Sequence, residues 1–164
     1  MAGLPSTPPA GPNSERPDDD RWMAHALELA RVAAEEGEVP VGAVIVLEGR
    51  VLGEGHNRTV TDADPTAHAE VVAIRAASSE VKDWRLLDTT MYVSLEPCAM
   101  CAGAIVLARI PRVVFATPDP KSGMVGSLGN LLDDERLNHR CEVHSGVRRD
   151  EAAEMLRAFF RARR

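Results

Sequence analysis

Two short segments of the chain hold the residue types that metal binding and proton transfer require: Thr66-Ala67-His68-Ala69-Glu70 and Glu96-Pro97-Cys98-Ala99-Met100-Cys101. Each is expected to open a helix after a loop or strand. Residues three apart on a helix share a face, so Cys98 and Cys101 project together, at the spacing two thiolates need to hold one metal ion. The exposed N–H groups and dipole of a helix N-terminus favour the thiolate form. Pro97 is expected in the first helical turn, where its missing N–H would have no intrahelical partner. Two sulfurs make half of a tetrahedral site, and His68, also at a helix start, is the natural third ligand. Three protein ligands leave one position open to water, which such a site acidifies toward a pKa of about 7. Glu70, two residues beyond His68, then stands beside that water as the proton carrier, an arrangement suited to hydrolytic deamination.

Each residue has a plainer use when taken singly. A lone His or Cys on an apolar background is usually packed, and an acid at a helix start complements the dipole. The combination of two cysteines at metal spacing, a histidine and a placed carboxylate favours catalysis over a structural zinc module. Cys141 has no partner nearby and sits in an apolar strand, so it reads as core, as do His25, His56 and His144; His139 lies in an Asn-His-Arg segment.

The elements that must position these residues follow from periodicity. Residues 1–17 hold five of the eleven prolines and no apolar period, which predicts a disordered tail ahead of a single domain over 18–164. Asp18, Asp19 and Asp20 lead an amphipathic helix that ends at Gly37. The apolar run Val41–Leu47, a turn at Glu48, Gly49 and Arg50, and Val51 and Leu52 predict a hairpin whose first strand is buried on both faces. A helical period from Pro65 through Ala76, a strand over Met91–Leu95, a helix over Pro97–Ala108 and a strand over Arg112–Ala116 come next. A Gly-rich loop over Thr117–Gly129, a helical piece around Leu131–Leu137, a strand over Cys141–Ser145 and a helix over Asp150–Arg163 complete the chain. Strands and helices in alternation after a hairpin mean an α/β domain with helices on both faces of a mixed sheet.

Composition bounds the partners. The chain has 164 residues, 45% hydrophobic and 27% charged, with three cysteines, too few for a disulfide scaffold. A reducing cytoplasmic setting fits. No apolar run approaches the roughly 20 residues of a membrane span, and the N-terminus lacks the pattern of a signal peptide. A net charge of −6 argues against a polyanion binder held by bulk charge. A local patch is another matter: residues 148–164 carry six arginines against three acids, with Phe159 and Phe160 interleaved, an expected RNA-facing edge. A solvated helix face is the alternative for that segment.

The pattern H-x-E followed by P-C-x-x-C resembles that of the zinc nucleobase deaminases of the cytidine/deoxycytidylate deaminase superfamily. Beyond it, Val39-Pro40-Val41-Gly42-Ala43, Asn57-Arg58, Asp64-Pro65-Thr66-Ala67-His68-Ala69-Glu70, Lys121-Ser122-Gly123, Asn138-His139-Arg140 and Phe159-Phe160-Arg161 resemble the bacterial tRNA-specific adenosine deaminases over about residues 20–164. The resemblance implies a three-layer α/β/α cytidine-deaminase-like fold with a five-stranded mixed sheet. It implies zinc-dependent deamination of adenosine to inosine at the wobble position of a tRNA anticodon, with one zinc per chain on His68, Cys98 and Cys101 and Glu70 as proton shuttle. By the same resemblance Asn57 contacts the flipped base, and Asp119 and Lys121, with Ser122, belong to an anticodon-contacting loop that Pro118 and Pro120 stiffen. Phe159, Phe160 and Arg161 form the expected RNA edge. A homodimer is implied, for which the face of Ala102, Ala104 and Ile105 offers a candidate surface unless it is ordinary core. Deamination of a free base or nucleoside, and a non-catalytic zinc-binding subunit, are the competing functions.

Overall fold

A computed structural model describes residues 15–164, so most of the tail expected over 1–17 lies outside the described residues. The elements run α1 Asp19–Glu35, β1 Gly42–Leu47, β2 Arg50–His56, α2 Ala69–Val81, β3 Thr90–Leu95, α3 Ala99–Leu107, β4 Arg112–Thr117, a 3₁₀ turn Leu131–Asp133, β5 Glu142–Ser145 and α4 Arg149–Arg161. The sheet order is β2-β1-β3-β4-β5. β1 pairs antiparallel with both β2 and β3, whereas β3, β4 and β5 run parallel. This is the expected five-stranded mixed sheet.

Side chains alternate across each strand, and both faces of β1 are covered, as its continuous apolar run predicts. Ala43 and Ile45 join Met91, Val93 and Val113 under α2 and α3. Val44 and Val46 join Tyr92 and Val114 on the other face, under Met23, Ala26 and Leu27 of α1 and Ala152 of α4. The result is helix, sheet, helix.

How close α2 lies to the sheet is set by small residues. Ala69, Ala73 and Ala77 form its buried stripe, and opposite them stand Gly53 and Gly55 of β2. A Cβ added at Gly53 would fall 2.4 Å from the Ala77 nitrogen, and one at Gly55 would fall 2.6 Å from the Ala69 carbonyl oxygen. The backbones touch, which fixes the start of α2, and hence His68 and Glu70, against the end of β2.

Several local expectations are corrected. α2 begins at Ala69, not Pro65, because the Asp64 carboxylate accepts hydrogen bonds from the Thr66 N–H at 2.8 Å and hydroxyl at 2.7 Å, a local turn that competes with helix. It also runs five residues past Ala76, to Val81. Pro97 is outside the first turn of α3: Cys98 is extended, with ψ 177°, and bridges Gly123, so helical geometry starts at Ala99. The helical piece around Leu131–Leu137 shrinks to Leu131–Asp133, capped by the Asn130 side chain.

Asp19 does more than complement the α1 dipole. It is fully buried, accepting two bonds from Arg112 at 2.7 and 2.8 Å and one from the Tyr92 hydroxyl at 2.8 Å. Burial pushes its carboxyl up, but these partners and the Arg16 N–H outweigh that and hold it below the ordinary range. Arg148 takes Asp20 at 2.9 Å, so the acids at the start of α1 hold both β4 and the start of α4.

The face of Ala102, Ala104 and Ile105 is not a free surface. Ala102 and Ile105 are fully buried under the sheet. The outward side of α3 is instead Met100, Ala104 and Leu107, with Leu107 69% exposed. α3 carries no charged residue on any side, so its sequence could not mark which stripe faces inward.

Candidate metal centre and active site

The N-termini of α2 and α3 meet at the ends of the strands that feed them. His68 and Cys98 are the residues just ahead of the two helices, both with extended backbone, and Cys101 sits in the first turn of α3. His68 Nδ1 lies 3.6 Å from Cys98 Sγ and 3.5 Å from Cys101 Sγ. All three ligand atoms fall within 4.8 Å of one another. A nitrogen and a sulfur at two corners of a tetrahedron, about 2.0 and 2.3 Å from a zinc ion, would be roughly 3.6 Å apart. The spacing and the soft S₂N donor set therefore fit such an ion, and the cluster can hold a metal.

Charge is distributed accordingly. The Cys101 thiol and His68 beside it pull the Cys98 thiol down to about 4, which makes Cys98 a thiolate at neutral pH, while Cys101 is pushed up by Cys98 and by burial. His68 is raised, chiefly by the Cys98 thiolate. Glu70 is 4% exposed, and burial pushes its carboxyl up to about 7. A carboxyl poised there can both accept and release a proton at neutral pH.

Around this centre stand two loops, each held by a buried carboxylate that sequence reasoning did not single out. Glu38, 1% exposed, accepts from the Val60 and Thr61 N–H groups at 3.1 and 2.8 Å and from the Thr59 and Thr61 hydroxyls, folding the loop between β2 and α2. Burial raises its carboxyl, but the four bonds bring it below the ordinary range. Glu96 plays the same part for the loop after β4. Neither had a local signal, because their partners lie more than twenty residues away.

Asn57 ties these parts together. Its amide donates to the Val39 carbonyl at 3.1 Å, and its oxygen accepts from the Ala69 N–H at 2.9 Å, capping α2 from outside the helix. One of its two amide N–H groups is spent in this way.

The remaining expected residues except Phe159 lie along one groove of about 960 Å³ between residues 118–122 and the end of α4. Asp119, Lys121, Phe160 and Arg161 line it, together with Val39 and Leu95. The Asp119 carboxylate accepts from the Lys121 and Ser122 N–H groups at 3.1 and 3.3 Å. Phe160 is 48% exposed. Phe159 is placed elsewhere: it is buried, edge-on to Phe160, with the Arg163 guanidinium 3.5 Å from its ring centroid. Arg157 and Arg161 are partnered by Glu154 at 3.0 and 2.7 Å, so the arginine excess of α4 is partly neutralised within the helix.

Residues 17–164 match the family of MafB19-like deaminases. The chain is 48% identical over 147 residues to a tRNA-specific adenosine deaminase of Haemophilus influenzae, covering 89% of this chain and 85% of that one. It is 49% identical over 143 residues to the tRNA-specific adenosine deaminase of Bacillus subtilis, with 87% and 89% covered. A solved structure from a study of A-to-I editing by tRNA:A34 deaminases at the wobble position superposes with a TM-score of 0.80 at 45% identity, over 83% of this chain and 99% of that one. A guanine deaminase from Bacillus subtilis is also similar, with a TM-score of 0.58 and 42% identity over 60% of this chain and 64% of that one.

Proposed function

The chain belongs to the MafB19-like deaminases, among their tRNA-specific adenosine deaminases, and from that premise we propose that it hydrolyses adenosine to inosine at the wobble position of a tRNA anticodon. The observation that carries this is the buried carboxyl of Glu70 two residues from His68, which clusters with Cys98 and Cys101.

One zinc per chain would be held by His68 Nδ1 and the sulfurs of Cys98 and Cys101. When bound there, zinc supplies Lewis acidity that brings a water toward a pKa of about 7, a nucleophile for C6 of adenine. Glu70 takes the proton that this water loses and delivers it to N1 of the base. It then takes a second proton from the hydroxyl newly formed on C6 and passes it to the departing amine, so that the C–N bond breaks, ammonia leaves, C6 becomes a carbonyl and the carboxylate is restored. Asn57 uses its second amide N–H on the purine edge. Flanking nucleotides follow the groove: Asp119 accepts from a ribose 2′-hydroxyl, and Phe160, propped from beneath by Phe159, stacks on an unpaired base. Lys121, Arg161, Arg163 and Arg164 meet phosphates.

Residues 18–164 carry this function, with 1–17 as an appended tail, and the setting is the cytoplasm. No helix among the described residues is long and apolar enough to cross a membrane. The protein is a homodimer that covers the uncharged outward side of α3, Met100, Ala104 and Leu107, next to the metal ligands. Light scattering at micromolar concentration should give twice the chain mass.

Sequencing the wobble position of tRNA before and after incubation with purified protein tests the assignment. Conversion of adenosine to inosine there, with about one zinc per chain that Cys98→Ala removes, is expected. Unchanged tRNA with a fully loaded protein would refute it.

A further inference from the structure

Glu96 lies between the end of β3 and the ligand Cys98, and its side chain has turned inward: it is 3% exposed. No basic side chain among the described residues pairs with it. Instead Oε1 accepts from the Asp119 N–H at 3.0 Å and from the Ser127 hydroxyl, while Oε2 accepts from the N–H groups of Val125 and Ser127 at 3.0 and 3.1 Å.

The loop closes tightly around this carboxylate. A Cβ added at Gly123 would fall 2.2 Å from Glu96 Cδ, so any larger residue there must displace the carboxylate from its donors. The same stretch is zipped to the ligand segment by the Met124 N–H on the Pro97 carbonyl at 2.9 Å and by the bridge between Cys98 and Gly123. Asp119 and Cys98 are therefore built on one rigid unit with Glu96 at its centre.

We propose that Glu96 is a positioning residue for substrate recognition, a buried hub that sets where the 119–127 loop, and with it Asp119, stands relative to the metal cluster. The proposal rests on the anticodon substrate argued above. Glu96 touches neither the base nor the metal, and its part is to hold the loop that grips the flanking nucleotides. Binding of that kind is felt equally in ground and transition states, so its loss raises KM and leaves kcat standing.

Glu96→Gln turns an amide N–H toward a cluster of donors and breaks the hub. Hydrogen exchange at the amides of Asp119, Val125 and Ser127 should speed up at least tenfold while the core strands keep their protection. KM for an anticodon stem-loop should rise about tenfold, with kcat and zinc content within twofold of wild type. Gly123→Ala, which drives a methyl into the carboxylate, should reproduce both changes with Glu96 still present, and it serves as the second probe should Glu96→Gln fold poorly. Unchanged amide exchange and KM in the folded variants would overturn the proposal, as would loss of kcat and zinc along with binding. The exchange experiment needs no substrate, so a wild type inactive on the stem-loop would sink the functional assignment and leave the loop hub to be judged by exchange.

Discussion

The centre around His68 and Glu70 and the rim from Asp119 to Arg164 are built on opposite plans. At the centre the groups are buried or half-buried, and their neighbours drive them from ordinary titration: Glu70 rises to about 7 and Cys98 falls to about 4. At the rim the charges are exposed and only partly matched by the molecule's own acids, as Glu154 matches Arg157 and Arg161. Perturbed groups in a dry cleft do chemistry, whereas solvated ones steer and grip. The two functions are therefore separable by mutation.

The largest effect falls at the centre. Glu70→Ala should lower kcat by more than the 10²–10⁴-fold typical of one general acid/base, because this carboxyl serves several transfers. Zinc content, measured by elemental analysis, and stem-loop affinity should stay near wild type. Loss of zinc would make Glu70 a ligand and merge the roles.

Next comes the frame beneath both regions. Asp19→Ala removes the carboxylate that meets Arg112 at 2.7 Å and leaves Glu142, at 3.5 Å, as its acidic partner, so breaking this buried pair should cost up to the loss of about 3–5 kcal/mol typical of such a change. Denaturant unfolding should show a loss on that scale, and activity and binding should fall together. The pH dependence has a definite sign. Asp19 has its folded pKa below its unfolded value of about 3.9, so its contribution is complete above that pH and is lost as pH falls through the folded value. The acid-unfolding limb should therefore be shallower in Asp19→Ala than in wild type.

The smallest effect belongs to the rim. Replacing Arg161, Arg163 and Arg164 by alanine should weaken stem-loop binding severalfold and flatten its salt dependence by about 0.7 in log-log slope for each phosphate contact removed. Zinc and kcat should survive. An unaltered slope would show that α4 is only a solvated helix face.

The centre was legible in the sequence and the rim only partly, for a physical reason. His68 with Glu70, and Cys98 with Cys101, are two and three residues apart, so local spacing carries their geometry, and the alternation of apolar runs gave the five strands in order. The starts of α2 and α3 were misjudged because side-chain and bridge contacts at Asp64 and Cys98 displaced helix there. Glu38, Glu96 and the pair of Asp19 with Arg112 left no mark, since each is defined by partners 21 to 93 residues away that come close only in the folded chain. The buried stripe of α3 was equally silent, because a helix apolar on every side has no moment to read.

The separation of chemistry from recognition is tested most directly by comparing kcat/KM for an anticodon stem-loop, free adenosine, guanine and cytosine on one preparation of the zinc-loaded protein. Flanking contacts supply binding energy that a free base or nucleoside cannot recruit, and a loop nucleotide costs little to extrude. The stem-loop should be turned over and the three small substrates left essentially untouched. Turnover of guanine or of free adenosine as fast as the stem-loop would contradict the account, leaving the deaminase centre in place and the rim without its assigned role.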